Sequence, residues 1–173
     1  MPASKTRSRR TENDAIALLK EDHEKVRKLL GELEETTDKA ASKREKLLAS
    51  IEQELTIHTR IEEEIFYPAF RDAARRKNDA KLYYEALEEH HVVDLVMPEI
   101  KGTGVESDQF PAKAKVLKDL VEHHAEEEET EMFPRARKLM ARDELLRLGV
   151  EMMRLKESLA RGPGGRLARL VGV

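Results

Sequence analysis

The sequence states nearly the same thing twice. His58-Thr-Arg-Ile-Glu62-Glu63-Glu64-Ile-Phe-Tyr-Pro68 returns as His124-Ala-Glu-Glu-Glu128-Glu129-Thr-Glu-Met-Phe-Pro134, at a constant offset of 66 residues. Each copy carries a histidine and a carboxylate four residues apart, which project from one face of a helix. Upstream of each copy stands a further histidine directly after an acid, Asp22-His23 and Glu89-His90. The first-to-second histidine gap is 35 residues in one half and 34 in the other, and all six histidines fall in these four places. The pattern points to a duplicated helical hairpin that builds a metal site.

The periodicity around these residues predicts helices throughout. A first helix starts at Asn13 or Asp14, either of which can cap it, and runs to about residue 35 with Ile16, Leu19, Val26 and Leu30 on its apolar stripe. His23 falls inside that stripe. The second, about 41 to 76, spaces Leu48, Ile51, Leu55, His58, Glu62, Ile65 and Ala69 as the seam of a bundle helix. Asn78-Asp79 reads as the next break. The third helix runs from there to about residue 100, with Tyr83, Leu87, His90, Val93 and Met97 on one face and Pro98 expected to bend its end. A fourth, about 109 to 140, lines up Leu117, Val121, His124, Glu128 and Met132. The Gly-containing loop before it, 101 to 108, lacks phosphate-binding spacing. A fifth helix, 141 to 161, carries Leu145, Leu148, Met152, Leu155 and Leu159 but no histidine and no repeat partner. Its stripe packs along the bundle or against a second subunit in a homodimer.

Composition agrees with one helical unit. Charged residues make up 39% of 173 residues, Gly and Pro are few and Trp is absent, which suits a bundle and one core. The organisation read from the chain is a basic disordered tail over 1–12, a bundle over 13–140, the extra helix over 141–161 and a flexible tail over 162–173. A net charge of −3 gives no reason to expect nucleic acid, and the basic residues of the first ten read as a tail. No long apolar run suggests export or a membrane span. The lack of cysteine removes disulfides, thiolate ligands and iron–sulfur clusters, and a cytoplasmic protein fits best.

A carboxylate on a bundle seam costs several kcal/mol unless it is paired or metal-bound. This chain places one there twice, at Glu62 and Glu128, each a turn after a histidine and with no lysine or arginine recurring on the seams. The candidate ligands are His23, His58, Glu62, His90, His124 and Glu128. Imidazole and carboxylate together suit iron, manganese and zinc. Six such donors exceed a tetrahedral zinc site and suit two metals about 3.5 Å apart, bridged by the carboxylates. Apolar neighbours favour His90 over the adjacent His91, and the repeat alignment selects His124 over His123. Glu63 and Glu129 are candidate partners for histidine N–H groups. Tyr67, Tyr83 and Tyr84 read as core or rim residues, with a phenolate ligand as the alternative.

The pattern H…HxxxE…H…HxxxE, with Phe66-Tyr67-Pro68 and Met132-Phe133-Pro134 after its two carboxylates, resembles the hemerythrin-like, or HHE cation-binding, family over roughly residues 14 to 140. The resemblance implies an all-α, up-down-up-down antiparallel four-helix bundle, here with an additional C-terminal helix. It also implies a non-haem di-iron centre, with an oxo or hydroxo bridge, held by His23, His58, Glu62, His90, His124 and Glu128. Manganese and zinc rank behind iron. Oxygen-carrying members have a fifth histidine where this chain has Ala86, and an Asp five residues after the last histidine where this chain has Glu128 at four. These departures leave a more open iron than a reversible carrier has.

Three functions are compatible with this reading. The first is a di-iron protein that binds or senses dioxygen, nitric oxide or iron itself. The second is a catalase- or peroxidase-like enzyme acting on peroxide at the same centre. The third is a structural or regulatory module clamped by its metal. A family branch that repairs iron–sulfur centres carries an N-terminal cysteine segment, which this cysteine-free chain does not match.

Overall fold

The computed structural model describes residues 14–74 and 76–162. Both tails read from the sequence, and Asn13, lie outside the described residues, apart from Gly162. Helix α1 spans Ala15–Glu34. Helix α2 is continuous through α-helical Ala41–Ile61, a π-helical stretch Glu62–Phe66 and α-helical Tyr67–Ala73. Helix α3 is Lys77–Gly102. Helix α4 repeats the build of α2, with Phe110–Glu127, π-helical Glu128–Met132 and Phe133–Leu139. Helix α5 is Arg142–Arg161. There is no strand among the described residues.

Local chemistry explains the ends. Asp14 caps α1, its carboxylate accepting from the Ala17 N–H at 2.9 Å, and Arg137 of α4 bonds the same carboxylate at 2.9 Å. The turns at the opposite end of the bundle are pinned by buried Arg44. It donates to Thr36 Oγ1 at 2.8 Å and to the Val105 carbonyl at 2.5 Å, and it lies over the Phe110 ring. Asn78 and Asp79 do not break the chain as expected but lie in the first turn of α3. Asp79 is buried because Arg135 of α4 grips both its oxygens, at 2.6 and 3.0 Å. Pro98 does not end α3, which continues to Gly102.

The four long helices close into an up-down-up-down ring, α1 against α2 and α4, and α3 against α4 and the end of α2. Helix α5 lies across α1 and α2, with Leu145, Leu148 and Met152 buried there. Its apolar stripe is thus used within the chain, leaving Val150 and Met153 exposed. Two apolar clusters fill the interior. One holds Val26, Leu30, Ile51, Leu55, Ile100 and Leu117 among others. The other contains Phe66, Tyr67, Phe70 and Phe133 with the buried face of α5. Between them, on α1 to α4, sit the buried histidines. No described helix is long and apolar enough to cross a membrane.

Candidate metal centre

The π-helical stretches begin at the two seam glutamates and cover matching positions of the repeat. In each, the N–H of the residue five along returns to the glutamate carbonyl, Tyr67 to Glu62 and Phe133 to Glu128. Pro68 and Pro134 follow directly and lack the N–H that an α-helical turn would use. The extra residue shifts the inward face by one position. Phe66, Tyr67 and Phe70 are therefore buried, and Ile65 and Ala69, expected on the seam, are only half-buried. Such single-turn π segments occur often at functional sites.

His23, His58, Glu62, His90, His124 and Glu128 all come together in the interior, and all are buried. His91 and His123 are exposed and outside this group, His123 at 63%. The donor atoms form two sets that share Glu62. One set is His23, His58, Glu62 and Glu128, with all donor atoms within 4.8 Å of one another; the other is Glu62, His90 and His124, on the same limit. His23 Nε2 lies 3.2 Å from Glu128, and His58 Nε2 and His90 Nε2 each lie 3.2 Å from Glu62 Oε2. Donors bound about 2.1 Å from one metal and at right angles are about 3 Å apart, so these spacings fit metal coordination.

Three of the four rings are hydrogen-bonded from behind by a carboxylate, and the fourth, His58, faces one without a bond. His23 Nδ1 meets Glu129 at 2.8 Å, His90 Nδ1 meets Glu63 at 2.8 Å and His124 Nδ1 meets Glu89 at 2.8 Å. His58 Nδ1 faces Asp22 at 3.8 Å. The scheme is pseudo-twofold. The acid before each first histidine backs the second histidine of its own half, and the acid after each seam glutamate backs the first histidine of the other half. The expectation for Glu63 and Glu129 matches this geometry. Asp22 and Glu89 were not singled out as partners, although the repeated acid-histidine pair was their signal.

Burial works against ionisation of Asp22, Glu89 and Glu129, but interactions with histidine, and with Lys156 or Arg27, outweigh it and hold all three below the usual carboxylate range. Glu63 is lowered chiefly by its bond to His90. Ionised carboxylates only accept, so the Nδ1 atoms at 2.8 Å carry the proton and the Nε2 atoms turn inward. Burial would lower His124, but the Glu128 charge and the bond to Glu89 outweigh it and raise this imidazole above its ordinary value without a cation. Burial pushes His58 down to about 4, keeping it neutral at pH 7.

The two seam glutamates interact strongly. Burial raises Glu62 well above the usual range, and the neighbouring Glu128 raises it further. Burial would raise Glu128 too, but His124 and His23 outweigh it and its carboxyl is lowered. One carboxyl therefore keeps a proton while its neighbour is charged, the behaviour of two acids sharing a site without a cation. His23 Nε2, His58 Nε2, Glu62 Oε1 and Glu128 Oε2 are buried without a hydrogen-bond partner. Unsatisfied buried donors and acceptors are costly, and here they converge, so the residues fit a bound cation.

Tyr67, read from the sequence as a core or rim residue, is in the core. Its hydroxyl donates to Glu128 Oε1 at 2.9 Å and lies 3.3 Å from His90 Nε2, and its ring stacks on His90. The matching residue of the other half, Phe133, stacks on His23 but brings no hydroxyl. Burial raises the Tyr67 phenol well above its ordinary value, with Glu128 and Glu62 adding to the effect. Beside the histidines lies a cavity of about 20 Å³, lined by Val26, Leu55, Val93 and Val121 among others.

Residues 14–136 match the model of the hemerythrin HHE cation-binding domain. The fold is similar to the crystal structure of a hemerythrin HHE cation-binding domain-containing protein from Mycobacterium kansasii. The TM-score is 0.75 and the identity 28%, with 91% of this chain and 98% of that one covered. A protein of Nostoc sp. (strain PCC 7120 / SAG 25.82 / UTEX 2576) named a DNA nickase is 26% identical over 149 residues. That alignment takes in 86% of this chain but 41% of the Nostoc protein, so the chain spans about two fifths of that relative's length.

Proposed function

Because the chain belongs to the hemerythrin HHE cation-binding family, we propose that its buried centre holds two iron ions and binds or senses dioxygen or nitric oxide. The observation that carries this reading is the donor set. Four inward imidazoles and two buried carboxylates, with Glu62 common to both groups, leave atoms that a pair of cations would satisfy. His23 and His58 would hold one ion and His90 and His124 the other, with Glu62 and Glu128 between them. Iron is preferred because mixed nitrogen and oxygen donors suit it and more than four are offered. The cavity limits the ligand. A void of about 20 Å³ accommodates roughly one water-sized group, so a diatomic gas or peroxide fits and a larger substrate does not.

An iron pair, when bound, supplies electrons to small oxidants. The chain's own residues do the rest. The carboxylates bonded behind His23, His90 and His124 fix the tautomer and aim Nε2 of these rings. Val26, Leu55, Val93 and Val121 keep the ligand cavity apolar and exclude bulk water. Glu62 spans both positions.

A second reading, decomposition of peroxide at the same centre, is favoured by Tyr67. Its hydroxyl proton sits at Glu128 and beside His90, where a general acid could deliver it to a leaving oxygen.

The test is anaerobic iron loading, iron counted per chain, and an absorption spectrum before and after nitric oxide or dioxygen. Two irons per chain and a spectral response support the first reading. No response to either gas overturns it. Peroxide consumption no faster than that of a His58→Ala variant overturns the second.

A further inference from the structure

Each half of the centre brings two imidazoles to the shared Glu62, and the halves differ in what stands behind those rings. Glu129, behind His23, also accepts from Arg27 Nη1 at 2.8 Å. Asp22, which faces His58, accepts from Lys156 Nζ of α5. Each backing carboxylate of this half is thus neutralised by a fixed cation.

The other half lacks this compensation. Among the described residues, no lysine or arginine bonds Glu63 or Glu89. Arg60, the nearest cation acting on Glu63, bonds exposed Glu64. Besides His124, Glu89 meets the exposed ring of His123 at 3.4 Å and the side chain of Glu127. Its further neighbours are acids: Glu127 is raised by burial and then by the charges of Glu89 and Glu85. Lys81, on the same side, bonds Glu85 instead. Two ionised carboxylates therefore back the His90 and His124 pair with no directly bonded cation, and the Tyr67 hydroxyl lies beside this half as well.

We propose that these outer charges make the two metal positions electrostatically unequal, so that a half-reduced centre carries its ferrous ion between His23 and His58 and its ferric ion between His90 and His124. Net negative charge around a metal favours the higher oxidation state, and nearby positive charge favours the lower. The outer charges act on an inner set in which each side has two imidazoles and a share of Glu62, while Glu128 groups with His23 and His58. The ordering gives α5, which lies outside the duplicated repeat, a positioning role at the centre through Lys156 and Asp22. The inference rests on the two-iron reading above.

The experiment is spectroelectrochemistry of the full iron-loaded chain, an electrode and small mediators supplying one electron to each iron in turn. The wild type should show two resolved one-electron steps. Lys156→Met should move the upper step down by about 59 mV, a tenfold change for a one-electron couple, and leave the lower step in place. Arg27→Met, which leaves α5 untouched, should move the same step in the same direction, and Lys156→Arg should restore the wild-type value. Glu89→Gln should instead raise the lower step. Fewer than two irons per chain in the wild type overturns the two-iron reading and this inference with it. Two irons with Lys156→Met and Arg27→Met shifting both steps equally, or shifting the lower one, overturns this inference alone.

Discussion

Replacing Glu62 by Gln should stabilise the metal-free protein and destabilise the metal-loaded one, and the pH dependence shows why. Glu62 is fully buried and raised above its ordinary value of 4.5. The native state therefore retains a proton that the unfolded chain releases above pH 4.5. Stability contributed by this group is lost as pH rises from 4.5 to its folded value, by up to about 1.4 kcal/mol per pH unit. His58 acts in the opposite sense. Its folded value of about 4 lies below the ordinary 6.5, so its contribution grows with pH between those limits. The two slopes oppose each other from about pH 4.5 to 6.5, leaving metal-free wild type with little net slope there from this pair.

The variant keeps His58 and loses the Glu62 slope. Its stability advantage over wild type should climb by up to about 1.4 kcal/mol per unit, reaching at most about 2.7 kcal/mol between pH 5 and 7. The assay is urea unfolding in excess chelator at half-unit steps of pH. With iron or zinc in excess the order should reverse, because the cation holds Glu62 ionised and the amide removes a donor shared by both metal positions. A stability difference that stays flat with pH in chelator would refute the reasoning, since Glu62 would then titrate alike in both states.

Chelation of the loaded wild type should lower its melting temperature by about 5–10 °C. This follows from about 2.7 kcal/mol of linkage at metal one hundred times its dissociation constant and about 2–4 °C per kcal/mol for a chain of this size; calorimetry with and without chelator checks it. Arg135→Ala, which removes the partner of Asp79, should lower the urea midpoint while metal per chain stays unchanged. Tyr67→Phe copies the residue that the other half already carries at this position, Phe133. It should fold, lose about 1–2 kcal/mol with the bond to Glu128, and slow peroxide consumption if the hydroxyl delivers a proton. His123→Ala should leave iron content unchanged, as its exposed ring lies outside both buried donor groups and its cluster with Glu89 and Glu127 lies at the surface.

The inner donors were legible because a charged or imidazole side chain on an apolar seam contradicts its surroundings, and the contradiction occurs in duplicate. Burial of Tyr67 was legible, but its contact with the seam carboxylate Glu128 was not, for a related reason. Extending a regular 3-4 spacing past Glu62 puts Ile65 and Ala69 inside, and only a turn with one extra residue brings in Phe66 and Tyr67. The repeated proline after each glutamate was the available hint. Lys156 could not have been found by comparing the two halves, because α5 has no counterpart, and an exposed-looking lysine on an amphipathic helix reads as solvated. The break assigned to Asn78-Asp79 failed because polarity was read without its partner: Arg135, distant in sequence, makes Asp79 a buried residue.

The paired π turns also determine which changes in chain length the protein can absorb. Deleting one residue between 63 and 66, or between 129 and 132, would remove the extra residue and leave an uninterrupted α-helix. In α2, Phe66, Tyr67 and Phe70 would then occupy the inward positions of a regular 3-4 spacing and stay on the interior face. Straightening the turn at constant length would instead rotate everything C-terminal to it by about 100° and bring Ile65 and Ala69 inward. A relative one residue shorter between glutamate and proline thus keeps the floor of its centre, whereas one of equal length keeps it only by keeping the wide turn.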